Sequence, residues 1–368
     1  MQNNCNEIEG LRAHPDLREP IPSDPKSRLE WVDIAKAMSI ILIVLLHTTG
    51  LVSKTGGDPH WFSVFNAIMS PIRVPLFFVA SGLFARASVV GDVKRLLSRV
   101  LRLLWVFALW LLAFLLYFRF LVKRPDIPIT NRSIAEDFLG QLIAPDYIWF
   151  LWALALFFIA ARVAMATAPR TILVLSAILS AAVTVVTIDP SIFPLPEVRS
   201  VRNSASYFFF FLAPVVYPQI RTRIATVSVL RGLMIFIPIF ILLMMVKTTM
   251  FGAVIAGIAR TGATIAGVVV LLFFARAIEN LNLLSSLFKY LGKRTLQVYV
   301  VHTFVVATLA VVAGSIGIWG GAVVDYAGVV ILTATGVLVS ILFAWGAQRI
   351  GLYWMFALPK WLQHRLSS

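Results

Sequence analysis

Residues 31–50 read WVDIAKAMSIILIVLLHTTG, and this stretch decides the fold. From Met38 to Leu46 every residue except Ser39 is apolar, and an α-helix needs about 20 predominantly apolar residues to cross a hydrocarbon core. The run at 33–52 is the first of a series. Others recur at approximately 62–86, 97–121, 147–168, 171–188, 204–220, 229–247, 251–278, 296–317 and 322–347, ten in all. The whole chain agrees: of 368 residues, 60% are hydrophobic and 13% charged, with a mean hydropathy of +0.89, whereas soluble domains carry about 25% charge. Soluble, disordered and fibrous readings are excluded. The predicted fold class is all-α, a polytopic membrane helical bundle of about ten transmembrane helices.

The formal net charge of +15 would suggest nucleic acid in a soluble chain. In a membrane protein, basic residues mark the cytoplasmic ends of helices, and no nucleic-acid partner is expected. With alternating sides, 21 Lys and Arg fall on the side of the N-terminus and 8 on the other, leaving Lys36, Arg73 and Arg260 within spans. That bias, with an even span number, predicts both termini in the cytoplasm. Residues 1–30 read as a polar cytoplasmic tail, 31–356 as the transmembrane domain and 357–368 as a short cytoplasmic C-terminal tail. The start is not a signal peptide, because the apolar run after it continues too long. The connections near 122–146 and 189–203 are too short to fold alone and are expected to form part of an outward mouth. The segment 251–278 holds Gly252, Gly257, Gly262 and Gly267 and reads as one kinked helix or a broken one. Small residues of this kind serve close helix packing more often than a substrate path.

Cys5 is the single cysteine and the five histidines are scattered at 14, 47, 60, 302 and 364. Disulfide frameworks and metal motifs are excluded on spacing, and no metal is expected. Two motif-like stretches fail. Gly292-Lys293-Arg294-Thr295 resembles the end of a phosphate loop, but Leu287 occupies the earlier glycine position and no strand precedes it. Asn131-Arg132-Ser133 is a glycosylation sequon with meaning only where glycosylation occurs.

Ionisable side chains inside spans are costly unless paired, hydrated or used, so each marks a candidate site. In the first span, Asp33 and Lys36 lie three apart and can pair on one helix face, or simply cap and snorkel at the cytoplasmic end. Lys36 and His47 lie eleven apart, three turns and roughly 16 Å on the same face. His47 is about 21 Å beyond Asp33, in the outer half, where snorkelling is hard to invoke. It is either a satisfied structural histidine or a general base for a hydroxyl. Arg73, in SPIRVPLFFVASG between Pro71 and Pro75, is a fixed cation in a helix whose prolines free backbone groups. It can hold a carboxylate, a phosphate or a polarised carbonyl, or be a plain interfacial arginine. Lys94 opens a basic run in which Arg95, Arg99 and Arg102 follow i, i+4, i+7 spacing and form one stripe. The stripe suits lipid headgroups or a phosphorylated cofactor gripped bidentately.

A basic residue, ten residues and a histidine, here Lys36 to His47, followed by Arg-x-x-Arg at Arg99 to Arg102, is similar to the signature of the acyltransferase 3 family of integral membrane O-acyltransferases. RVPLFFVASG at 73–82, YIWFLWALALFF at 147–158, YFFFFLAP at 207–214 and LGKRTLQVYVVHTF at 291–304 resemble family blocks in the expected order. The WVDIAKA opening looks most like the fucose 4-O-acetylase-like branch. At position 36 a lysine replaces the arginine of many relatives, a point charge in place of a fork.

The resemblance implies a bacterial inner-membrane O-acetyltransferase that moves an acyl group, an acetyl above all, from acyl-CoA on the cytoplasmic side to a hydroxyl of a carbohydrate or glycan acceptor. It assigns His47, Asp33 and Arg73 to catalysis and Lys36, Arg99 and Arg102 to the acyl-CoA donor. Trp149 and His302 fall in family blocks with a substrate-binding or structural role. Direct attack and a covalent acyl-histidine are both compatible with these residues. The rival class is a transporter or flippase using Lys36, Arg73 and His47 as a polar path, for which no inverted repeat is visible.

Overall fold

The computed structural model describes residues 30–124, 132–193, 198–246 and 252–367. They form α1 (Glu30–Lys54), α2 (His60–Met69), α3 (Arg73–Gly82), α4 (Arg86–Val90), α5 (Val93–Phe120), α6 (Ile134–Ile143), α7 (Trp149–Ala166), α8 (Pro169–Ile188), α9 (Arg199–Val216), α10 (Gln219–Thr226), α11 (Val229–Val246), α12 (Gly252–Glu279), α13 (Asn282–Gly292), α14 (Thr295–Ser315), α15 (Ala322–Arg349) and α16 (Lys360–Ser367), with a 3₁₀ turn at Tyr353–Met355. No strand occurs among the described residues. The all-α polytopic bundle read from the sequence is the observed architecture.

Nine helices among the described residues are long and apolar enough to cross a membrane, α2 and α3 counting together as one span. The tenth expected span, α9, has 18 residues but falls short in apolarity. Its first eight residues, RSVRNSAS, carry two arginines, three serines and an asparagine. Such a segment is tolerated at membrane depth only against protein, and α9 packs between α3, α7 and α8. Of the tail at 1–30, Glu30 already belongs to α1; the rest lies outside the described residues, as does Asn131 of the sequon.

The first helix is central, in contact with α2, α3, α12, α13, α14 and α15, and Val32, Ile34, Ala35, Ala37, Ile40 and Val44 are completely buried. Between helices in lipid, close van der Waals packing replaces the hydrophobic drive, so small residues decide approach. A Cβ on Gly257 of α12 would lie 2.3 Å from Val185 of α8, and one on Gly267 would lie 2.5 Å from Ile72. Both glycines serve packing, and α12 runs unbroken over 28 residues. Gly292, from the failed phosphate-loop motif, is the extreme case, because its Cβ would stand 1.9 Å from the Asp33 carbonyl oxygen. That position needs glycine so that α13 can touch α1.

The face on which α1 begins is here called the near face. Arginines there satisfy carbonyls that helix ends leave without partners. Arg86 donates to Val215 O at 2.7 Å, and Arg162 to Val89 O and Gly91 O at 2.8 and 2.9 Å. Arg276 donates to Ile224 O and Val227 O. Part of the basic excess is thus structural cement. On the far face the buried carboxylate of Asp325 accepts from the main-chain N–H groups of Asp58 at 2.9 Å and Gly320 at 3.1 Å, tying the α1–α2 loop to the α14–α15 loop. The expected connection at 122–146 contains α6, which opens with a capping box between Ser133 and Glu136. Hydrogen bonds from Ser133 hold the exposed Glu136 carboxyl below its usual range.

Candidate active site

His47 lies on α1 seven residues before the helix ends, about 10 Å below the far face. The packing of α14 against α1 brings His302 to it, with ring centroids 5.4 Å apart and planes tilted by 43°. His302 is 1% exposed and doubly held. Its Nδ1 is 2.8 Å from the Val298 carbonyl, an acceptor only, so Nδ1 carries the proton and donates. Nε2 is then an acceptor, and the Thr303 hydroxyl 3.2 Å away donates to it. One helical turn fixes both the tautomer and the ring orientation. His47 is half-buried beside this locked partner.

Arg73 reaches the same level by an indirect route. The span from His60 to Gly82 breaks at Ser70–Ile72, where Pro71 has no N–H to donate, and the Arg73 carbonyl accepts a hydrogen bond from the buried Ser39 hydroxyl of α1. The Arg73 backbone is thus level with Ser39, eight residues and about 12 Å toward the near face from His47. Side chains lean toward a helix N-terminus, so the guanidinium runs back toward the far face. There Nη1 donates to the main-chain oxygen and to Oδ1 of Asn66, both at 3.2 Å. Asn66 Nδ2 in turn donates to Thr49 Oγ1 at 3.0 Å, two residues beyond His47. Asn66, 5% exposed, was not among the sequence candidates, although an amide in the apolar run HWFSVFNAIM was a readable signal.

A string of aromatic residues leads to the histidine pair. Ile148 precedes α7 with φ of +53°, a left-handed conformation that a β-branched residue adopts only under constraint. It turns the chain so that Tyr147 stacks on Phe114 at 4.5 Å and Trp149 on Tyr207 at 6.2 Å. The Phe150 N–H donates to the Tyr299 hydroxyl at 3.3 Å, and the Tyr299 ring lies 6.4 Å from His302. Trp149 is therefore joined to the histidine pair through Phe150 and Tyr299. Tyr299 and Tyr207 were also missed, since tyrosines in membrane segments usually belong to interfacial belts.

The remaining candidates gather at the near face. Asp33, 1% exposed, pairs with Lys36 at 3.6 Å, and the Lys36 ammonium lies 5.0 Å from the Phe84 ring centroid. Their i, i+3 pairing is as read from the sequence. They are not brought to His47, from which Asp33 stays about 21 Å along one straight helix. Arg95, Arg99 and Arg102 are all exposed, and the Arg99 guanidinium lies 3.3 Å from Ser88 Oγ and 4.8 Å from the Phe158 ring centroid. Among the described residues no cluster of three metal-ligating side chains occurs.

These observations define a polytopic integral membrane protein with two polar clusters buried among its spans, the histidine pair of α1 and α14 and the hydrogen-bond chain from Arg73 of α3 through Asn66 of α2 to Thr49 of α1. The chain belongs to the acyltransferase 3 family: the model of that family, described as an acyltransferase domain, matches residues 29–345. This is the family that the resemblance named. The chain is also similar to the nodulation protein NolL of Mesorhizobium japonicum, 25% identical over 163 residues, 42% of this chain. The match covers 41% of that protein's own length. No solved structure matches the chain.

Proposed function

We propose that the chain carries an acyl group, in the first place acetyl, from acyl-CoA at the cytoplasmic face of a bacterial inner membrane to a hydroxyl of a carbohydrate or glycan acceptor arriving from outside. The near face is cytoplasmic in this reading, with both termini on it, because it holds the excess of Lys and Arg. The observation that carries the reading is the histidine pair: His47, half-buried and set 5.4 Å from a tautomer-locked His302, has the surroundings of a general base.

His47 takes the proton of the acceptor hydroxyl as its oxygen attacks the thioester carbon. Arg73, whose Nη1 is engaged by Asn66, keeps other N–H groups for the oxyanion that develops. The C–S bond then breaks, and the proton held by His47 passes to the departing thiolate of CoA. Lys36, steered by Asp33, and Arg99 with Arg102 at the near face receive the donor's phosphates. A pantetheine arm on the order of 15–20 Å bridges the roughly 16 Å from Lys36 to His47. Asp33 acts here through Lys36, as a positioning residue.

The test is acyl transfer from acyl-CoA by purified His47→Ala protein that is inserted and folded. A general base contributes typically 10²–10⁴-fold, and activity within about threefold of wild type would remove His47 from that role.

A further inference from the structure

Arg260 and Arg202 have no part in the chemistry described so far; Arg202 lies three residues inside α9, about 5 Å below the far face, and Arg260 lies deeper in α12. Arg260 is eight residues inside α12 and Tyr207 eight residues inside α9, so both stand about 12 Å below the far face. Arg202 lies five residues, about 7.5 Å, above Tyr207 on the same helix. Both helices pack on α3 and on α8. The Tyr207 hydroxyl is within electrostatic reach of Arg260, Arg73 and Arg202. Arg202 and Arg260 are half-buried, and among the described residues neither is ion-paired to a carboxylate. The Arg260 guanidinium at this depth is costly unless something compensates it, and a phenol compensates little. At the same level, the stack from Tyr207 through Trp149, Phe150 and Tyr299 leads to His302 and His47.

We propose that Arg202 and Arg260, over the Tyr207 hydroxyl, bind an anionic group, a carboxylate or a phosphate, carried by the acceptor. The forks of the two guanidiniums grip its oxygens, and the aromatic stack receives the sugar ring beside it. The word acceptor rests on the acyl-transfer reading; the anion site itself does not. The proposal makes the preferred acceptor an acidic or phosphorylated sugar, selected at the far face.

The test uses the full-length protein in phosphatidylcholine nanodiscs without donor, titrated with methyl glucuronide, glucose 6-phosphate and methyl glucoside. Fluorescence of Trp149, which stacks on Tyr207, reports occupancy, and a Trp149→Phe variant isolates its signal. Both anionic sugars should bind at least about tenfold more tightly than the neutral one. Arg202→Gln and Arg260→Gln should each weaken them about tenfold. Arg202→Lys and Arg260→Lys should recover much of the loss, and Arg119→Gln, at the exposed pair with Asp137, should change nothing. Equal binding of charged and neutral sugars, or unchanged affinity in the Arg202→Gln/Arg260→Gln double variant, would overturn the site. If phosphatidylglycerol in the discs abolishes sugar-anion binding, a lipid headgroup is the occupant and the acceptor assignment falls. Anion binding that follows this pattern in a protein that transfers no acyl group from acyl-CoA would leave the site standing and sink the donor reading instead.

Discussion

Replacing Asn66 by alanine removes two polar atoms from the join between α2, α3 and α1 and leaves the rest in place. Arg73 Nη1 loses its bond to Oδ1 but keeps the one to the main-chain oxygen of residue 66. Thr49 loses the amide that donated to it and keeps its own bond to the Leu45 carbonyl at 2.8 Å. One hydrogen bond to a charged group, at about 1.5–3 kcal/mol, and one neutral bond, at about 0.5–1.5 kcal/mol, are lost. The total, roughly 2–4.5 kcal/mol, divides between stability and the aim of Arg73. Deleting an oxyanion donor outright costs about 10²–10³ in kcat. A loosened one should cost about 10–100-fold, with the KM of acyl-CoA and of the acceptor nearly unchanged because the lost amide atoms bond Arg73 and Thr49. Asn66→Asp retains the acceptor toward Arg73 and should be the more stable variant. Its new charge competes with the oxyanion for the guanidinium, so its kcat should be no better than that of Asn66→Ala. Steady-state kinetics at saturating acyl-CoA and a melting curve on the same preparation decide the matter. A kcat within about twofold of wild type beside a lowered melting temperature would refute the reasoning, since Arg73 would then need no aiming from Asn66.

His302→Gln keeps a buried hydrogen-bonding side chain while removing the ring beside His47, and should lower kcat by about tenfold or more with the protein still folded; wild-type kinetics would make His302 a packing residue. Gly292→Ala forces a methyl group into the Asp33 carbonyl and should destabilise the protein by at least the 1–3 kcal/mol of an overpacked core, which thermal unfolding in detergent reads directly; an unchanged melting temperature would contradict the contact between α13 and α1. Arg99→Lys keeps charge and loses the fork, so it should raise the KM for acyl-CoA and leave that of the acceptor alone; the same result for Arg102→Lys assigns Arg102 as well to the donor, and no change in either variant would assign both to lipid. Reporter fusions after Lys54 and near residue 190 should read outside, and fusions after Arg170, Arg223 and Lys289 inside; one reproducible reversal would overturn the span assignment.

The fold was legible because each span declares itself locally. Length and apolarity need no knowledge of neighbours, so the run at 33–52 and its successors mapped onto real helices with small errors at their ends. α9 shows the limit of that logic. Its polar first half is possible only because α3, α7 and α8 surround it, and a property supplied by neighbours is invisible in a window of one segment. The prolines at 71 and 75 announced disturbed backbone, but not that Ser39, the single polar residue in the run after Met38, answers it by donating to the Arg73 carbonyl.

The site was legible one residue at a time and illegible as pairs. Lys36 to His47 is a spacing within one helix, and a regular helix converts spacing into distance. The partner of His47, by contrast, stands 255 positions away on α14, and only the packing of α14 on α1 makes them neighbours. The same difference governs Arg73. Its position in the chain puts its backbone about 12 Å from the level of His47, which would argue against a shared site. A long side chain leaning toward the N-terminus of α3 closes that gap in depth, because the guanidinium ends beside Asn66, which in turn bonds Thr49. Depth in a membrane protein is therefore a property of the functional group and not of the residue. The stripe at Arg95, Arg99 and Arg102 is the opposite case, because spacing on one helix set the three in a row and all three stay exposed, with Arg99 also touching Phe158 and Ser88.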